Sequence, residues 1–135
     1  MVAYSFQKLF VPMIRSGRKA HTIRADRMGR SRHARPGERL QLYTALRTVH
    51  CQLIGTATCS AVEPVRLQPL PVAGFVQLNS TWLTARAELN DFAWADGFHD
   101  WEELCAFWKR HHPGISIFSG VIIRWRDFAE GRQAA

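Results

Sequence analysis

The chain has 135 residues, the length of one domain, and its 47% of AVILMFWYC residues with 21% charged residues is the composition of a chain that folds around a core, which excludes disorder as its dominant state. No apolar run approaches the ~20 residues that a membrane-spanning helix needs, and the first residues lack a secretory pattern, so a soluble, cytoplasmic protein is expected. The net charge of +7 is unevenly placed: residues 1–50 hold eleven bases and two acids, residues 88–103 hold six acids and no base, and fifteen of the eighteen bases are Arg.

In chain order, Ala3–Phe6 reads as a short strand, followed by a short helical or irregular piece through Pro12–Ser16 that Gly17 stops. Residues 25–37 carry Gly29, Pro36 and Gly37 among many Arg, the signature of an exposed basic loop. Arg39–Thr44 alternates Leu40 and Leu42 with Gln41 and Tyr43, a half-buried strand. Cys51–Val62 reads as a long strand, or as one strand that bends at Gly55 and continues, with Cys51 and Cys59 on its inward side as small core residues. Eight residues of extended chain separate these thiols by ~26 Å, too far to share a zinc ion.

Pro64, Pro69 and Pro71 mark a connector, and Phe75–Leu78 a further strand. Ala85, Leu89, Phe92 and Ala93 form one face of a helix ending at Gly97. Asp100 and Glu103 make a capping box for a second helix with the stripe Trp101, Leu104, Cys105 and Trp108, ending at His111–Gly114. Val121–Trp125 closes the chain as an apolar strand. Strands on both sides of a two-helix insert, without βαβ alternation, point to an α+β domain.

The arginine-rich first third favours a polyanionic partner, because the guanidinium fork matches phosphate and stacks on flat rings. Arg18, Lys19, Arg24, Arg27, Arg30, Arg32, Arg35 and Arg47 are the candidate RNA-binding cations, with Tyr43 as a stacking platform. Trp94, opposite the apolar stripe of its helix, is a second exposed ring, and His21 reads as a surface histidine. The densest cluster is Gly17-Arg18-Lys19-Ala20-His21-Thr22-Ile23-Arg24. A regular strand would send Lys19 and Thr22 to opposite faces, so a shared site requires a turn near Gly17–Ala20. Asp96 falls on the core-facing arc of its helix, where a carboxylate needs a partner.

Gly17, Lys19, Thr22 and Arg24 match the pattern G-x-K-x-x-T-x-R, Ala34-Arg35-Pro36-Gly37-Glu38 leads into Leu40-Gln41-Leu42-Tyr43, and Phe92–Phe98 carries an acidic-Gly-Phe element. In these three ordered elements the sequence resembles the ASCH (activating-signal cointegrator homology) family, over roughly residues 3–126, with 127–135 left as a C-terminal tail to one domain. The resemblance implies a PUA-like mixed β-barrel flanked by two or three short helices, with a basic cleft between barrel and helices. It implies binding of single-stranded or modified RNA. The alternative is a hydrolase of the N(4)-acetylcytidine amidohydrolase or ribonuclease type using the same cleft. The Lys, Thr and Glu implicated in the amidohydrolase-like members fall by motif position on Lys19, Thr22 and Asp96, with Asp one methylene shorter than the family's Glu. No cofactor and no metal is expected. The partner is RNA or a modified nucleoside, with no membrane, and the oligomeric state is open.

Overall fold

The computed structural model describes residues 1–27 and 32–131. The first strand, β1 (Val2–Phe6), leads through a 3-10 turn (Lys8–Phe10) into α1 (Val11–Arg15) and then β2 (His21–Arg24). Strands β3 (Arg39–Thr44), β4 (Gln52–Gln68), β5 (Phe75–Leu78) and β6 (Thr81–Leu83) precede the helices α2 (Arg86–Asp96) and α3 (Trp101–His111), and β7 (Phe118–Glu130) follows them. The fold is a mixed α+β arrangement of seven strands and three α-helices among the described residues.

The sheet is organised by the two long strands. β7 runs antiparallel along one side of β4 from Gly55↔Glu130 to Leu67↔Phe118. The other side of β4 is shared, with β3 against its first half and β5 against Val65–Gln68. β1 adds parallel to β3, β6 to β5, and β2 to the free side of β7. The outermost strands of the path β1-β3-β4-β7-β2 meet through a side chain, as Arg24 Nη2 on β2 donates to Ser5 O on β1 at 2.6 Å. Among the described residues no ladder joins those two strands.

β4 is irregular, and it is longer than expected. It carries an extra residue at Ile54, opposite β3 and beside the expected bend at Gly55, and another at Ser60, opposite β7, while the shift between Thr56 and Thr58 places the extra residue on β7; an extra residue on one strand of a pair kinks that strand. It also continues through Pro64, expected to begin a connector. The Pro64 carbonyl accepts from Asn79 N at 3.3 Å, so its ring nitrogen faces the same side, just past the β5 ladder that starts at Val65↔Leu78, and no β7 bond is lost. Cys51 is exposed just before the strand, correcting its placement in the core, whereas Cys59 is fully buried.

The helices are built as their sequences dictate. Glu88 Oε1 accepts from Ala85 N at 3.1 Å at the start of α2, and Asp100 Oδ1 accepts from Glu103 N at 2.9 Å at the start of α3. The stripe Trp101, Leu104, Cys105 and Trp108 is buried, and a fully buried leucine such as Leu104 contributes about 2 kcal/mol. Trp101 keeps its polar edge satisfied by donating Nε1–H to Leu70 O at 2.8 Å. Ile122 and Ile123 point to opposite faces of β7 and both are fully buried, so this strand is covered on both sides. No helix among the described residues is long and apolar enough to cross a membrane.

Candidate functional site

Two local backbone features create the site. Gly17, at φ 85°, turns the chain after α1, and Lys19 N then donates to Met13 O at 2.9 Å. Lys19 therefore precedes β2 instead of alternating within it, which supplies the turn that a site shared with Thr22 requires. Gly97, at φ 108°, ends α2 in the left-handed conformation, and a Cβ there would strike the Phe10 ring.

The end of α2 leaves carbonyls without helical partners, and cations from the β2 approach meet them. Lys19 Nζ donates to Asp96 O at 2.7 Å and to Asp96 Oδ1 at 2.8 Å. Arg18 Nε donates to Trp94 O at 2.8 Å, its Nη2 donates to Phe98 O, and its guanidinium stacks 3.3 Å from the centre of the Trp94 ring. Arg18 is thus committed to holding α2, and one face of half-exposed Trp94 is already covered.

Lys19, His21, Thr22 and Asp96 are all buried. His21 corrects the surface reading: its ring stacks on Phe92 at 5.5 Å, because α2 covers that face of β2. Its Nε2 lies 2.9 Å from Asp96 Oδ1 and has no other protein partner among the described residues. Burial lowers the Lys19 pKa, with Asp96 offsetting part of that effect. Burial likewise lowers the His21 pKa and favours the neutral ring. Burial works to raise the Asp96 carboxyl, but Lys19 and His21 outweigh it and hold it below its ordinary value.

Lys19, Thr22, Arg24 and Asp96 line a single cleft of about 400 Å³. Its walls are aromatic, with Phe10, Phe98, Phe107, Trp108 and Phe118 contributed by four segments of the chain, and His112 and Ile115 also line it. Thr22 Oγ1 accepts from Arg24 Nε at 2.9 Å, which leaves the hydroxyl proton available for donation. No hydrogen bond joins Thr22 to Lys19 or Asp96 among the described residues. The Arg24 guanidinium also lies over Tyr4 and Phe6, at 5.3 and 5.0 Å, and burial lowers its pKa to about 10.

The other candidates divide. Arg27, Arg32 and Arg47 line a second cavity together with Arg24. Arg32 is paired through both nitrogens with Glu38, at 2.6 and 2.8 Å. Arg35 is exposed, its amide donating to Glu38 Oε1, and half-buried Tyr43 lines neither cavity. Arg30 lies outside the described residues. Among the described residues no group of three His, Cys, Asp or Glu side chains is placed to hold a metal ion. The sequence reading missed His21 and the aromatic walls; for His21 the available signal was its spacing of two from Lys19 and Ile23. Scans against protein-family models, curated proteins and solved structures find no match for this chain.

Proposed function

We propose that the protein is an RNA-binding domain of the ASCH type, its sheet curled as a PUA-like barrel, and that the cleft accepts one base of single-stranded or modified RNA. The observation that carries this reading is an aromatic-walled cleft of about 400 Å³ with polar hydrogen-bonding groups, from Lys19, Thr22 and Arg24, in its lining. Flat walls suit a base, which has two π faces, and the donors suit the carbonyl and ring-nitrogen acceptors of its edge. The side-chain link from Arg24 to Ser5 across the outer strands supports the curl.

A second reading, hydrolysis of an N(4)-acetylcytidine-type amide or of RNA, is favoured by one observation. Lys19 and Asp96, 77 residues apart, pair in the cleft that Thr22 also lines, and burial depresses the Lys19 pKa as a catalytic base requires. Binding is preferred because Thr22 is bonded to Arg24, which cannot take its proton, and not to a base.

The test incubates the protein with short single-stranded RNAs and with N(4)-acetylcytidine, reading binding by fluorescence anisotropy and products by mass. RNA recovered intact, and bound several-fold more weakly by Thr22→Val, is the expected result; loss of one neutral hydrogen bond is worth about 1 kcal/mol. Acetate or cleaved RNA released by the parent and abolished by Thr22→Ala would assign the hydrolase instead. Absence of both binding and turnover would overturn both readings.

A further inference from the structure

The aromatic cleft does not end at Arg24. A second cavity, of about 580 Å³, shares Ser5 and Arg24 with it and is lined by Arg24, Arg27, Arg32 and Arg47. No Asp or Glu among the described residues lines this basin. We propose that the basin is a phosphate site, and that it holds a phosphate of the nucleotide whose base enters the adjoining cleft; the second half of this statement rests on the base-binding reading above.

The four arginines are held in distinct ways. Arg32 is neutralised by its two-pronged contact with Glu38 and forms a fixed wall. Arg27 Nη1 donates to Arg32 O at 3.0 Å, and its guanidinium lies 4.8 Å from the centre of the Tyr4 ring, the ring that Arg24 also covers. Two guanidinium groups thus share one ring with no carboxylate lining the basin beside them. Like charges this close repel, and an anion in the basin removes that repulsion. Burial is the main cause of the lowered Arg24 pKa, and the nearby Arg27 charge adds to it.

The loop carrying Arg47 is fastened to the same place. Leu46 N donates to Ser5 Oγ at 3.2 Å, while Ser5 O accepts from Arg24, so one residue of β1 fixes both sides of the basin. Ala45 and Arg47 adopt φ values of 51° and 67°, which non-glycine residues avoid unless the surroundings impose them. Arg24 belongs to both cavities, so it can contact a phosphate in the basin while its Nε holds the Thr22 hydroxyl in the cleft. The chemistry is that of a phosphate monoester or a phosphodiester attached to a base-bearing sugar.

Two measurements test this. Thermal denaturation at low salt, with inorganic phosphate and pyrophosphate as probes, should show stabilisation of the parent that is lost in the Arg27→Gln/Arg47→Gln double variant. Equilibrium binding of cytidine, cytidine 5′-monophosphate, cytidine 3′-monophosphate and a cytidine dinucleotide should give at least about a tenfold advantage to a phosphorylated ligand, as expected for a charge-assisted contact. That advantage should collapse toward one in the double variant. An advantage confined to the dinucleotide supports the site and assigns it to an internal phosphodiester; an advantage for a monophosphate supports it and assigns it to a terminal one. Equal affinity of the parent for nucleoside and all phosphorylated ligands overturns the proposed pairing of cavities while leaving the base cleft standing. Failure of these ligands and of the single-stranded RNAs to bind removes the base-binding reading. In that case arginine-dependent stabilisation by inorganic phosphate retains the basin as an anion site, and its absence overturns the site itself.

Discussion

Replacing Asp96 by Asn tests the buried ion pair on which the site is built. Lys19 Nζ stands 2.8 Å from Asp96 Oδ1 with both side chains almost wholly removed from solvent. At an effective dielectric constant of about 20 the Coulomb attraction over that distance is roughly 6 kcal/mol, largely offset by the cost of desolvating both ions. Removing one partner leaves the other charge buried and uncompensated, which costs about 3–5 kcal/mol. Lys19 retains its bond to the Asp96 backbone carbonyl, which places the expected loss near the lower figure. For 135 residues, an unfolding entropy of about 2.1 cal/mol/K per residue converts 1 kcal/mol into about 3.5 °C, so the melting temperature should fall by about 10 °C or more.

Urea denaturation of the parent, Asp96→Asn, Lys19→Met and the double variant, followed by tryptophan fluorescence, gives the coupling directly. The double variant should lose less than the sum of the single losses, by at least about 1 kcal/mol. In Asp96→Asn the Lys19 amine is buried without its counter-charge, so its folded pKa drops further below the unfolded value. The unfolded chain then binds more protons in the window between the two, and the stability of this variant should rise relative to the parent as the pH approaches the ordinary lysine value of about 10.4 from below. Additive losses, or a loss under 1 kcal/mol for Asp96→Asn, would refute the ion-pair reasoning.

Acid should weaken the fold in two stages. Burial lowers the pKa of His21, His33 and His112, so the unfolded chain takes up more protons as the pH falls below about 6.5 and stability declines; His21→Asn should flatten that slope in denaturation at pH 7, 6 and 5. The contribution of Asp96, whose folded pKa is depressed, is present above the unfolded value and lost only as the pH falls through the depressed one, so it belongs to a later transition below about pH 4. For RNA, engagement of Arg24, Arg27 and Arg47 should give a slope of log affinity against log salt of about −2, at roughly −0.7 per neutralised phosphate. Binding that is insensitive to salt would contradict a contribution from these arginines.

The parts of the fold legible in the sequence are those governed by local pattern. The alternation of Leu40 and Leu42 bounds β3, and the helical spacing of Trp101, Leu104, Cys105 and Trp108 bounds α3, because period and burial coincide there. Long-range pairing was less legible. β4 runs on past Pro64 because β7 and β5 flank it, and β7 reaches Glu130 because Gly55 and Thr56 supply partners for its final residues. The site divides in the same way. Lys19 and Asp96 meet because Gly17 and Gly97 reverse the chain at matching places, and both turns were marked by glycine. The aromatic walls come from the 3-10 turn, the α2–α3 connection, α3 and β7, and no single stretch of sequence announces that convergence. His21 was misplaced because one strand's alternation cannot reveal that α2 covers its second face.

The most direct test of base binding is to plug the cleft from its rim. Ala25 lines the cavity and is exposed, so Ala25→Trp adds bulk at the opening without disturbing the core. A substitution of this kind should change stability by no more than about 0.5 kcal/mol. Anisotropy titration of a labelled single-stranded RNA should then show at least a tenfold loss of affinity, about 1.4 kcal/mol, with an unchanged melting temperature. Unchanged affinity in the folded variant would show that RNA does not use this cleft, and would contradict the account.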